Sequence, residues 1–473
     1  MNPTGYARPK LNFLTKEQIG QIHQTAQYIL SKVGVRFDSE KARQVFMRSK
    51  EVQIDEDNLV KFPTYLVDWA LKQAPSVVDV YSRDGELAFR LGADRTRFGV
   101  GVTSLYYQEP GSGEITPFQR THMTDLVRLG DHLPNYDVIS TPGIVQDQPP
   151  EIADLYAVLE MTANTKKPLV MLISEEKLYE PALDMLAALH GDLAEKPFVL
   201  PYFNPISPLV VNSDTIEKIM ITAERGLPFI YNTYVMAGVS APITPAGMLA
   251  QMTAELLAGL IFTQLVKPGA PIILGMLPSY FDMKSMVNFY DPKSYLISLA
   301  CVEILQHYGL PHSGTSGSGN GWMGDLIDFE NYWLNHLLLV MGNAGLAPFV
   351  GDTLRSKVFS PPNVVYGNEI IEKALSISEG FVIDEESFGY NEIAGQGPGG
   401  TFLAEPLTLK HFRQAYTVSD IFPQYSMENW QEVGQPSPQD VLNQYTQDLL
   451  HSLPEPEDYK ELLQKGERFI NRL

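Results

Sequence analysis

Between residues 97 and 380 short apolar runs alternate with longer helical stretches, and no other feature of this 473-residue chain restricts its fold as strongly. The runs cover 98–107, 138–145, 168–174, 197–206, 228–236, 271–277, 310–316 and 346–351. The stretches after them cover 121–133, 151–165, 176–190, 213–226, 245–267, 292–308, 325–345 and 362–380. Strands joined by helical crossovers run parallel, and eight such units predict a (β/α)8 barrel in the α/β class. Helix-to-strand turns such as Gly226-Leu227-Pro228 and Gly309-Leu310-Pro311 place glycine after a helix and proline at a strand entry. An open doubly wound sheet is the competing architecture, but no Gly-x-Gly-x-x-Gly follows the first strand, where a dinucleotide fold carries it.

The segment before the barrel has a different pattern. A helix over 15–32 opens on Thr15 with Gln18 in capping-box position. Short strands at 33–37 and 59–62 flank a helix at 39–48, and runs at 77–81 and 87–91 form a hairpin turning at Asp84-Gly85. Residues 1–96 therefore read as an N-terminal α/β layer on a 97–380 barrel. Residues 381–473 form a C-terminal extension, acidic and helical from about 426.

Thirty-five basic against 56 acidic side chains leave a net charge of −21, which disfavours nucleic acid or an anionic membrane as partner. A single cysteine, Cys301, excludes an intrachain disulfide, a CxxC pair and a cysteine-based zinc site. Residues 1–11 have no secretory apolar core, and the apolar stretch 248–266 carries Gln251, Thr253, Glu255, Thr263 and Gln264. That stretch reads as a buried helix and the setting as cytoplasmic.

In a barrel of this kind chemistry gathers at the C-terminal ends of the strands. There the sequence is rich in aromatics and poor in titratable groups. Rings without a counter-carboxylate suit a quaternary ammonium, which has no N–H to donate. Tyr106, Tyr107, Tyr234 and Trp322 are the candidate cage, with Phe203 and Phe359 behind them; the bland alternative is that these rings fill the mouth or the core. His312 or Asn204 would meet a substrate carboxylate, and His312 is equally readable as structural. The run 313–321 is glycine-rich, but no lysine or arginine lies between Lys293 and Arg355 to support a phosphate. It suits a mobile lid or close approach of a large flat ligand at Gly317, Gly319 and Gly321. Asp325, Asp328 and Glu330 are helix N-terminal acids or attract a cation. The nine histidines have no metal-site spacing, and there is no serine nucleophile elbow.

Several motifs carry a resemblance: Val33-Gly34-Val35, Phe98-Gly99-Val100-Gly101, His307-Tyr308-Gly309-Leu310-Pro311, and above all Ile383-Asp384-Glu385-Glu386, Gly397 to Leu403 and Thr408 to Arg413. With these, over nearly its whole length, the chain resembles the trimethylamine methyltransferase family of corrinoid-dependent enzymes. The resemblance implies a TIM barrel. Founding members carry pyrrolysine after strand 7, whereas residues 317–322 here are ordinary, as in the branch that demethylates quaternary amines. It further implies a methyl acceptor, cobalt(I), on a separate corrinoid protein, and no catalytic acid or base in this chain, whose task is positioning and desolvation. No Asp-x-His-x-x-Gly motif is present to hold a corrinoid tightly here. Glycine betaine, giving dimethylglycine, is the expected substrate. Carnitine, proline betaine, γ-butyrobetaine, a non-catalytic quaternary-amine binder and an unrelated barrel hydrolase or lyase are the alternatives. A homo-oligomer is expected.

Overall fold

A computed structural model of the chain describes residues 6–9, 11–49, 52–92, 95–314 and 319–473. Eight strands form its centre: β1 (Arg97–Val100), β2 (Val138–Ser140), β3 (Leu169–Met171), β4 (Val199–Phe203), β5 (Phe229–Ala237), β6 (Ile272–Asp282), β7 (His312–Ser313) and β8 (Leu346–Val350). They pair in parallel in chain order, and β8 returns to β1 to close the ring. The helices that follow them are α1 (Arg120–His132), α2 (Ala153–Asn164), α3 (Glu176–His190), α4 (Ser213–Arg225), α5 (Pro245–Val266), α6 (Pro292–Tyr308), α7 (Leu326–Met341) and α8 (Pro361–Glu379). The barrel expected from the alternation is the fold.

Strands covered on both faces carry nearly continuous apolar runs, and alternate side chains turn into the barrel. Val138, Val170, Leu200, Ile230, Ile273 and Leu346 fill one buried interior layer. The hairpin Val78–Tyr81 with Leu87–Leu91 adds Val78, Val80, Phe89 and Leu91 to the same cluster. Since these residues open their strands, the hairpin closes the N-terminal end of the barrel. Access is left from the other end.

The helix α5 is apolar on every side because both sides are covered. Its inner side packs on β5 and β6, and the helices Lys16–Tyr28, Glu40–Met47 and Thr64–Gln73 lie over it outside. Phe37 and Phe46 each meet Phe262 of α5 with ring centroids 5.4 Å apart. Gln251 and Glu255 of α5 are paired inside the protein: Gln251 Nε2 donates to Ser240 O at 2.8 Å, and Ser207 Oγ donates to Glu255 at 2.6 Å. Thr15 forms the anticipated capping box with Gln18. In the N-terminal sheet, Val210–Val211 from the loop after β4 pairs with Val35–Phe37.

Two departures from the expected elements matter for the site. The run 98–107 is not one strand: β1 stops at Val100, and the chain turns through Gly101 (φ +120) and Thr103 (φ +58). A side chain at Gly101 would meet Ser140 O at 2.1 Å, so only glycine passes there. Tyr106–Gln108 then joins a separate four-stranded sheet with Ile115–Pro117, Val358–Phe359 and Asp352–Thr353. The second departure is β6, which runs on past Leu277 to Asp282 and folds back as Val287–Phe289.

Candidate functional site

The open end of the barrel holds a cavity of about 310 Å³ walled by the rings of Tyr202, Tyr234, Tyr290 and Phe349. Val102, Leu172 and Leu277 add apolar surface, and Thr103, Asn204 and Ser356 supply the remaining polar groups. None of these lining residues is an acid, a lysine, an arginine or a histidine.

Strand alternation places the first two rings. Leu200, Tyr202 and Asn204 share the inward face of β4 and its end, as Ile230, Asn232 and Tyr234 do on β5. Tyr202 stands edge-on to Phe349, centroids 5.0 Å apart and planes at 86°. Its hydroxyl meets the side chains of Asn204 and Asn232, and burial pushes its pKa up to about 12. The Tyr234 hydroxyl accepts from Asn288 Nδ2 at 2.9 Å and Ser279 Oγ at 3.3 Å, and burial likewise raises its pKa. Both phenols stay neutral, so their rings are polarised but uncharged. Below them Ser313 Oγ donates to Asn232 Oδ1 at 2.8 Å.

Tyr290 arrives on the returning arm of the β6 hairpin, just before the Asp291 cap of α6. Its main chain is gripped by one amide: Asn320 Nδ2 donates to Tyr290 O at 2.6 Å, and Tyr290 N–H donates to Asn320 Oδ1 at 3.2 Å. Ser356 lies in a turn whose N–H donates to Asp352 Oδ2 at 2.8 Å.

Of the residues singled out from sequence, the structure brings Tyr234 and Asn204 together in this cavity and places the others elsewhere. Tyr107 is buried and stacks on His122 at 4.0 Å, and Phe359 is fully buried in the same small sheet. Tyr106 is exposed on that sheet, and Trp322 is 64% exposed. Phe203 points outward to Tyr179 and Phe229. The cage expected from Tyr106, Tyr107, Tyr234 and Trp322, with Phe203 and Phe359 behind them, is thus not assembled around Tyr234, and the turn at Gly101 is what carries Tyr106 and Tyr107 out of the barrel wall.

His312 is corrected as well. It begins β7 and therefore lies at the closed end, lining a separate hollow of about 410 Å³ with Arg95 and Gly345. Its Nδ1 is 3.1 Å from Leu310 O, and burial lowers its pKa. Gly317 lies outside the described residues. Gly319 and Gly321 have a packing reason: a Cβ there would lie 2.2 Å from Asp328 Oδ1 and 2.3 Å from Asp325 Oδ1 respectively. Asp325 accepts from Ile327 N–H at 3.0 Å as the cap of α7, as the acid-at-N-terminus reading expects. Three rings escaped the sequence reading. Tyr202 was within reach, two positions before Asn204 on the same face; Phe349 lies within a bulge in β8 and Tyr290 follows a hairpin, neither of which periodicity reveals.

The family model described as trimethylamine methyltransferase (MTTB) matches residues 4–472. The chain belongs to the trimethylamine methyltransferase family. Among curated relatives, a glycine betaine methyltransferase of Desulfitobacterium hafniense (strain Y51) is 26% identical over 90% of this chain and 90% of its own length. A trimethylamine methyltransferase MttB of Methanosarcina barkeri (strain Fusaro / DSM 804) is 27% identical over 93% and 91%. The crystal structure of the hydroxylamine MtmB complex superposes with a TM-score of 0.51 at 10% identity, over 96% of this chain and 92% of that one. At that identity the likeness is one of fold. For a member of this methyltransferase family, the aromatic cavity at the strand ends is the place to seek the methyl donor.

Proposed function

We propose that the protein transfers a methyl group from a quaternary amine, with glycine betaine the best candidate, to the cobalt(I) of a separate corrinoid protein. The observation that carries this reading is a cavity of four neutral rings with no acidic or basic lining residue among the described residues. A primary or secondary ammonium would call for a carboxylate or other acceptor. A tetraalkylated nitrogen has no N–H, so ring quadrupoles and exclusion of water hold it, each ring contributing about 0.5–2 kcal/mol.

The missing acid is consistent with this chemistry. As the N–CH3 bond breaks, its electron pair stays on nitrogen and a neutral tertiary amine departs, while the methyl passes to the cobalt(I) nucleophile of the partner. No proton is required. Tyr202, Tyr234, Tyr290 and Phe349 surround the cation, and the amide of Asn204 offers a donor to a carboxylate. The 26% identity to a glycine betaine methyltransferase supports the smallest betaine, and the same cavity is compatible with carnitine, proline betaine or γ-butyrobetaine. A cobalt(I) partner requires a reducing compartment, which supports a cytoplasmic setting. The helices Tyr390–Gln396, Pro406–His411 and Met427–Glu432 bury no residue of their own, in keeping with a homo-oligomer.

The test is a panel of these amines mixed with purified protein and reduced cobalamin or a corrinoid protein, with methylcobalt formation followed spectroscopically. Methylcobalt should form with at least one quaternary amine and not with tertiary amines. Tight binding of a quaternary amine without methyl transfer would make the protein a binder instead, and no binding at all would refute the reading.

A further inference from the structure

We propose that Asn320 and the buried carboxylate of Asp352 are positioning residues that lock two walls of the cavity, the segment carrying Tyr290 and the turn carrying Ser356. The proposal rests on the reading of that cavity as the quaternary-amine site. Neither residue lines it. Each acts through a main chain that does.

The two-point bond between Asn320 and Tyr290 fixes both the position and the tilt of the peptide from which that ring projects. Asn320 is anchored in turn, its N–H donating to Asn331 Oδ1 of α7 at 3.2 Å. Its neighbours reach the opposite wall: Gly319 O accepts from Arg355 N–H at 2.9 Å and Gly321 O accepts from Leu354 N–H at 3.0 Å. Three successive residues, 319–321, therefore span from one wall to the other.

The wall they reach is strained. Leu354, Arg355 and Ser356 have φ of +50, +60 and +65, a left-handed run that side-chain-bearing residues avoid. Such a run persists only where its surroundings over-determine it, and at cavity walls strain of this kind is associated with function. Here every N–H of the run is taken: two by the glycine carbonyls, and that of Ser356 by Asp352 Oδ2. Asp352 is fully buried, and Asn363 Nδ2 donates to its carbonyl oxygen at 2.7 Å. The neighbouring Asp328 accepts from Gly321 N–H at 2.7 Å and Gly324 N–H at 3.1 Å, which secures the same loop from below. The close approach of the Asp328 and Asp325 carboxylates is what requires Gly319 and Gly321.

The test uses the full-length protein and the variants N320A, N320D and D352A, with two measurements. Hydrogen–deuterium exchange without ligand should speed up over residues 288–292 in N320A and over 353–357 in D352A. Calorimetry with glycine betaine should find affinity weakened about tenfold in N320A, two lost hydrogen bonds being the cause, and by less in N320D, which keeps the acceptor for Tyr290 N–H. The partial rescue in N320D distinguishes positioning from general damage, and it serves alone if N320A fails to fold. Wild-type exchange in both segments together with wild-type affinity would overturn the proposal. If the wild-type protein binds no quaternary amine, the cavity reading fails instead, and the exchange measurement still decides whether the lock exists.

Discussion

The rings of the cavity differ in how they are held, and this makes their removal separable. Phe349 contributes only its face and edge, whereas Tyr234 is also pinned through its hydroxyl by Asn288 and Ser279. Replacing Phe349 with Leu should weaken quaternary-amine binding by about two- to thirtyfold, the equivalent of one ring at about 0.5–2 kcal/mol. Tyr234→Phe keeps the ring and should stay within about threefold of wild type. Calorimetric titration of both, beside Tyr106→Ala and Trp322→Ala at exposed positions outside the cavity, checks the assignment, the latter two being expected to leave affinity unchanged. A different residue governs pH behaviour. Burial beside Asp328 pushes the Asp352 carboxyl up from 3.8 to about 7. The folded chain therefore holds that proton more tightly than the unfolded one, a stabilisation complete below pH about 4 and lost as pH rises through about 7. Thermal unfolding scans across that window should show D352N with a flatter decline than wild type. Parallel slopes would contradict this.

The hairpin at 78–91 acts as the barrel's floor, and its contribution is measurable. Phe89 is buried within the interior layer, so Phe89→Ala should lower stability by about 3–5 kcal/mol and depress the melting temperature. If the hairpin were a surface ornament, the change would be negligible. This element was readable in advance, since alternation and Asp84-Gly85 mark both strands and turn. The barrel strands were readable for the same reason: their apolar runs and helical spacers are local signals. Tyr106–Gln108 and Val358–Phe359 were not. They pair across about 250 residues of sequence, and the turn that diverts them depends on a glycine packed against the neighbouring strand. Where local periodicity continues to the strand end, as at Asn204 and Tyr234, the site residues are recoverable. Where a bulge or a return hairpin intervenes, as at Phe349 and Tyr290, they are not.

Taken whole, the molecule is a barrel closed at one end and open at the other, with a net charge of −21. The cavity grips the ammonium without any charge of its own, and a betaine, whose ammonium and carboxylate cancel, feels little net long-range pull from the molecule's charge of −21. Salt screens charge over about 10 Å at 0.1 M, whereas the ring contacts are short-range and desolvated. Affinity for glycine betaine should therefore change little with added salt, as calorimetry would register. The sharpest test of the cavity's chemistry is a competition between glycine betaine and 3,3-dimethylbutanoate, its uncharged-carbon isostere of the same shape. If neutral rings hold a permanent cation, calorimetry will find glycine betaine bound at least tenfold more tightly. Equal affinity for the two would mean that the cavity recognises shape alone, and the account would fail.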